Sequence, residues 1–166
     1  MCFTCPLTRR RLPIYLLDQV LDRYIAMISE SKYGAVSIAL WAKTALISKH
    51  LDNSLGAIHG IGLTEYMVLR SLMRAPDHVL RRIDIADALE RTASGITRML
   101  MPMEKIGLVQ KELNERDARV SLVRITRAGE ELFENASATL NARSETLLKN
   151  VDGKKLDVFL DLLGAI

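Results

Sequence analysis

The sequence predicts a mainly α chain carrying one small β-hairpin. Three observations predict it. Apolar residues recur every three or four positions over most of the chain, the spacing of amphipathic helices. Only one region, "IGLVQKEL" and "VSLVRI" on either side of "NERDARVS", alternates with period two. Hydrophobic residues make up 49% of the 166 positions and charged residues 26%, so one packed core with helical extensions is affordable and disorder is not expected.

Residues 1–12 read as a flexible tail and residues 13–62 as two helices. Leu17, Leu21, Tyr24 and Ile28 form the first apolar stripe, and Gly34 is expected to end it. Leu40, Thr44, Ile47, Leu51, Leu55 and Ile58 form the second, which closes at "HGIG". In "LTEYMVLRSLMRAP" Thr64 is the expected N-cap, Leu63 and Val68 the hydrophobic staple, and Pro76 the stop. A short helix over 82–90 presents Ile85, Ala86 and Leu89, and a tight turn at Arg91 and Thr92 leads into another over 93–106. Thr92 caps that helix, Ile96, Leu100, Met103 and Ile106 form its stripe, and Gly107 ends it. Pro102 removes a backbone hydrogen bond within it, so a kink and a bent last turn are expected. After the hairpin Thr126 caps a long helix with Leu132, Ala136, Leu140, Leu147 and Val151 on one side. A last helix follows a break at Asp152 and Gly153.

Helices followed by a two-stranded wing make a winged helix-turn-helix, predicted over 63–126. In such a unit the second helix of the pair enters the DNA major groove with its N-terminal end. That end reads Ser94, Gly95, Thr97 and Arg98, small or polar residues suited to close approach and to bonding bases or phosphates. Gly95 costs about 1 kcal/mol of helix stability relative to alanine, a cost explained if the backbone must come near a partner. At the hairpin tip, Arg116 and Arg119 fit the negative potential of a minor groove, and Asp117 can orient Arg119 by a charge-assisted hydrogen bond.

The charge distribution agrees. The chain has net charge +3, and residues 91–126 hold seven Lys or Arg against four Asp or Glu, so the whole excess lies there. Enzyme chemistry finds no support: there is no nucleophile–base pairing, metal cluster or glycine-rich phosphate loop, and no cofactor or metal is expected. Cys2 and Cys5 have C-x-x-C spacing, but His50, His59 and His78 lack ligand spacing for a four-coordinate zinc. The cysteines are therefore read as tail residues, with a redox-responsive regulator as the alternative. No apolar run is long enough to span a bilayer, and the arginines of "MCFTCPLTRRRLP" follow its apolar residues, the reverse of a signal peptide. The expected location is the cytoplasm.

"GLTEYMVLRSLM", "RIDIADAL", "TASGITRMLMPMEKIGLV" and "NERDARVSLVRITRAGEEL" together resemble the MarR family of bacterial transcriptional regulators, over about residues 36–160. The most specific pieces are "ITRML" followed by "PMEKIGLV", the D-x-R wing at Asp117 and Arg119, and "ITRAGEEL". Proline at the position of Pro102 is common in that family. The resemblance implies a homodimeric repressor on a pseudo-palindromic double-stranded DNA operator. Residues 13–62 and 127–166 would be dimerisation helices, and Arg119 would enter the minor groove. It also implies a small-molecule effector held between dimerisation helices and winged unit, for which Trp41, His59 and Met67 are the candidate lining residues. The family's peroxide sensors carry a cysteine in the first core helix, and none stands there in this chain. Leu156, Phe159, Leu160, Leu163 and Ile166 argue independently for a partner, because one small winged unit cannot cover them. A winged-helix protein-interaction module without DNA binding is the competing reading.

Overall fold

The computed structural model describes residues 31–113 and 121–165, and the chain divides into two compact units, residues 1–46 and 47–166. Helix α1 (Lys32–His59) begins in the first unit and continues into the second. Then follow α2 (Leu63–Arg74), a 3-10 turn (Pro76–His78), β1 (Val79–Arg81), α3 (Arg82–Ala88) and α4 (Ala93–Lys105). The wing strands β2 (Val109–Leu113) and β3 (Ser121–Ile125), α5 (Arg127–Leu148) and α6 (Gly153–Gly164) complete the order. The expected helix at 13–28, Cys2 and Cys5, the wing tip and Ile166 lie outside the described residues.

A mainly helical chain with a winged helix-turn-helix is what the structure contains, with several local corrections. Gly34 does not end a helix; it lies inside the first turn of α1, where amide groups lack intrahelical partners anyway. The N-cap of α2 is Gly62, two residues before Thr64. Two carboxylates replace the expected hydroxyl there. The amide of Gly62 donates to Glu65 Oε2 at 2.6 Å and that of Leu63 to Asp52 Oδ1 at 2.8 Å. The pair flanking the cap is then Ile61 and Tyr66, both buried, in place of Leu63 and Val68.

The sheet has three strands where sequence pattern finds two. Its order is β1-β3-β2, all antiparallel, with Leu80 opposite Val123 and Lys111 opposite the same residue on the other side. At three residues β1 is too short to show a period, and only its pairing with β3 makes it a strand. Asp77 and His78, at φ 54° and 57°, turn the chain sharply into it.

Helix α4 runs unbroken through Pro102 to Lys105. Proline leaves the Arg98 carbonyl without its usual donor four residues on, and the helix persists because its other face is anchored. Ile96, Leu100 and Met103 pack with Leu55, Leu69, Leu72 and Ile85 in the core. Ile106, expected on that stripe, is 63% exposed because it is already the C-cap. Beyond it Gly107 takes φ 78°, its amide donating to the Glu104 carbonyl at 3.0 Å and that of Leu108 to the Met103 carbonyl at 2.9 Å. This is the expected glycine stop, with buried Leu108 and Met103 supplying its hydrophobic contact.

The two hydroxyl caps expected at other helix starts are present, and Asp152, expected only as a break, caps α6. Thr92 accepts from the Gly95 amide at 3.1 Å, Thr126 from the Gly129 amide at 3.1 Å, and Asp152 from the Lys154 amide at 3.0 Å. Thr126 does more. Its amide donates to the Leu108 carbonyl at 3.1 Å and its hydroxyl to the Gly107 carbonyl at 2.6 Å. Gly129, one turn into α5, lies against the same strand entry: a Cβ added there would come within 2.2 Å of the Leu108 carbonyl oxygen. Tyr66 and Phe133 stack 5.3 Å apart further along, tying α2 to α5.

Two stability predictions follow from this geometry. Gly129→Ala should destabilise the fold by about 3 kcal/mol, because the colliding atom is backbone and cannot swing aside. A urea titration showing a midpoint equal to that of the parent would contradict the close approach. Glu90, the residue that ends α3, holds φ 49° while the Arg91 amide reaches back to the Ala86 carbonyl at 2.9 Å. A side chain is disfavoured in that left-handed conformation, so Glu90→Gly should stabilise by about 0.5–1 kcal/mol, read as a raised midpoint with unchanged slope.

Candidate nucleic-acid interface

The helix pair is built from one buried contact and one turn. Ile85 and Ala86 of α3 and Ile96 and Leu100 of α4 share the core. The four residues between the helices are held by the α3 stop at Glu90 and the Thr92 cap. Arg81 braces the start of α3: its Nε and Nη2 donate to both carboxylate oxygens of Asp84, at 2.8 and 2.5 Å. That bidentate bond holds the Asp84 carboxyl below the usual range and raises the Arg81 guanidinium.

With Ile96, Leu100 and Met103 buried, the opposite side of α4 faces solvent. Ser94, Arg98, Met101 and Lys105 follow one another along it at helical spacing, all exposed. The Arg98 side chain makes no hydrogen bond or ion pair among the described residues, and neither does that of Lys105. Thr97 is half-buried on the flank facing the wing, and its hydroxyl donates to the Ala93 carbonyl at 2.8 Å, leaving its lone pairs outward. Ser94 Oγ stands 3.4 Å from the Thr92 hydroxyl. Gly95 has a local reason that the sequence did not suggest. A Cβ there would sit 3.0 Å from Thr92 Oγ1, so glycine leaves room for the cap itself.

A recess opens on each side of this ridge. One is lined by Thr64, Glu90, Arg91, Thr92, Gly95 and Arg98, and the other by Thr97, Met101, Glu104, Gln110, Lys111 and Ser121. Arg91 and Lys111 are exposed and have no ion-pair partner among the described residues. Four exposed cations therefore lie on or beside the ridge, Arg91, Arg98, Lys105 and Lys111, and half-buried Arg82 lines the recess toward the wing.

Arg124 belongs to the same basic segment but is engaged within the fold. Its Nε and Nη2 donate to Glu112 at 2.8 and 3.1 Å, and its Nη1 donates to the Asp77 carbonyl at 2.6 Å. Glu112 keeps the guanidinium firmly charged, its pKa raised. The clamp joins β2, β3 and the turn before β1, so its role is to set the wing. Sequence reasoning missed it, and also missed Arg91, Met101, Lys105 and Lys111. Extending the helical spacing from Ser94 and Arg98 identifies Met101 and Lys105; the others need the fold. Arg116, Asp117 and Arg119 lie outside the described residues.

The three residues proposed for an effector pocket are not gathered by either recess. Trp41 is 74% exposed on the first unit. In the second unit His59 Nε2 is hydrogen-bonded to Thr139 Oγ1 at 2.8 Å, and Met67 packs against the core. Among the described residues no helix is long and apolar enough to cross a membrane.

Comparison with known proteins bears on this geometry. Residues 61–121, from the entry of α2 to the start of β3, match the model of the MarR family. The HTH-type transcriptional regulator PrsX of Escherichia coli is 34% identical over 80 residues, 48% of this chain and 48% of PrsX. The match thus spans about half the length of that relative. A MarR family transcriptional regulator from Streptomyces coelicolor, solved in complex with DNA, superimposes with TM-score 0.74 at 18% identity, covering 82% of this chain and 87% of that one. A mutant of Escherichia coli MarR complexed with operator DNA gives TM-score 0.67 at 20% identity, covering 93% and 98%. These last two likenesses are of fold. The matched segment holds the helix pair, β2 and the first residue of β3, so residues 61–121 are similar to the winged helix-turn-helix of the MarR family.

Proposed function

We propose that this chain is a sequence-specific double-stranded DNA-binding transcriptional regulator, a repressor that acts as a homodimer on a pseudo-palindromic operator. The observation that carries the reading is the α4 ridge. Apart from Met101, its exposed residues are small, polar or cationic, and the four exposed cations have no carboxylate partner among the described residues. Unpaired cations gathered on one surface are what a phosphate backbone attracts, through release of condensed counterions. Ser94, Gly95, Thr97 and Arg98 at the N-terminal end of α4 are the proposed major-groove contacts, with Arg98 able to grip guanine or a phosphate through its fork. Arg116 and Arg119, with Asp117 orienting the latter, are proposed for the adjacent minor groove. That the two structurally similar regulators above were solved with DNA supports the same use of this fold.

The homodimer is supported by α6. No residue of that helix is buried, and Val158, Phe159, Leu160, Leu162 and Leu163 are 42–65% exposed, while Lys154, Asp157 and Asp161 keep one side polar. An apolar helix face this wide is stable only when covered. A twin chain supplies the cover with the least new chemistry, and two-fold symmetry then sets the recognition helices roughly 34 Å apart, one turn of duplex. With the family comes the expectation of a small-molecule effector that modulates release.

In a mobility-shift titration over salt, Arg98→Ala and Arg119→Ala should each lower the slope of log affinity against log salt by about one unit if the residue meets a phosphate. If Arg98 meets guanine instead, its loss should relax sequence preference at one position per half-site. Unchanged affinity, slope and preference in both variants would refute the assigned interface. Sedimentation of the full chain should give twice the protomer mass, and Leu160→Glu on α6 should shift it toward the monomer. A monomeric parent would remove the two-fold arrangement.

A further inference from the structure

Core packing does not account for Met101. It is 63% exposed in the third turn of α4, while Leu100 and Met103 beside it are buried. On the ridge it lies three residues after Arg98 and four before Lys105, so a cation stands one turn away on each side. A solvated helix face ordinarily carries polar residues at such a position. The side chain also borders the groove toward the wing, with Thr97, Gln110 and Lys111. It is thus an exposed apolar side chain between two cations on the ridge, at the edge of a groove whose floor includes Leu100 and Val109 and whose rim includes Glu104.

Resting on the proposed DNA-binding role, we infer that Met101 determines specificity by reading the 5-methyl group of a thymine in the major groove. Thymine alone among the bases presents an apolar group there. A thioether has no donor and is only a weak acceptor, so it cannot read the hydrogen-bonding edges of the other bases. Its unbranched, flexible stem can settle against a methyl group without demanding one geometry. Arg98 and Lys105, engaging the duplex on either side, hold the helix close enough for that contact. Excluding water from one methyl group should contribute about three- to fivefold in affinity per half-site.

The test uses duplexes selected by the full chain from a randomised pool, with thymidine replaced by deoxyuridine one position at a time. That change deletes the methyl group and keeps base pairing. At one position per half-site the parent chain should bind about three- to fivefold more weakly after replacement. Met101→Ala should bind the thymidine and deoxyuridine duplexes alike, and Met101→Leu should retain the preference. Alanine at an exposed helix position leaves the fold intact, which an unchanged denaturation midpoint verifies. The inference is overturned if Met101→Ala keeps the full preference for thymidine, or if the parent shows no preference at any position. Should no duplex be selected at all, the DNA-binding reading fails and this one with it. Should a duplex be selected whose binding depends on Arg98 but not on Met101, this inference alone fails.

Discussion

Everything around the helix pair is referred to the carbonyl of Leu108. The stop of α4, the first residue of the wing and the start of α5 meet there. Gly107 and Leu108 close α4, the Thr126 amide bonds to the Leu108 oxygen, and Gly129 brings the first turn of α5 against it. Because the contact is backbone on backbone, it has no soft side chain to absorb displacement. Helix α4, the wing and the long C-terminal helix are consequently set at fixed angles by one small joint. A rotation of α5 about its first turn must either break the Thr126 bonds or carry α4 and the wing with it.

How much of this was legible depended on how local each cause is. Thr92 and Thr126 were readable as caps because each bonds an amide three residues away. Gly107 was readable because only a left-handed residue ends a helix that way without strain. The α2 cap was misread at Thr64 because one of its true acceptors, Asp52, comes from α1, eleven residues before the amide it meets. Strand β1 was missed for a related reason: three residues carry no period, and β3 alone recruits them. Glu90 performs the stop that glycine performs at position 107, and its sequence gives no sign of it.

The interface divides in the same way. Helical spacing locates Ser94 and Arg98 once the buried stripe is known, and the structure leaves both exposed. Counting charge finds the basic segment but not which charges cancel within it. Arg124 faces Gln110 in the register, and its partner Glu112 stands diagonally across the strand pair. That neutralisation depends on a pairing invisible in the linear sequence. Its removal from the surface leaves the excess concentrated on α4 and its margins, nearer the ridge than the sequence count implied.

Helix α4 breaks several local rules at once, and its ends explain how it can. It holds Gly95 in its first turn, Pro102 in its last, a β-branched Thr97 bonded back onto its own ladder, and an exposed methionine. Propensity alone would make a 13-residue helix of this composition marginal. The Thr92 cap fixes one end, the glycine stop fixes the other, and Ile96, Leu100 and Met103 fix the inward face. Stability thus comes from the core and the termini, and the outward face carries no structural duty. Glycine at position 95 even serves the cap, and the proline falls where the buried stripe already holds the last turn in place. A helix stabilised this way can change its exposed residues without changing its position, which is what a surface that must discriminate among partners requires.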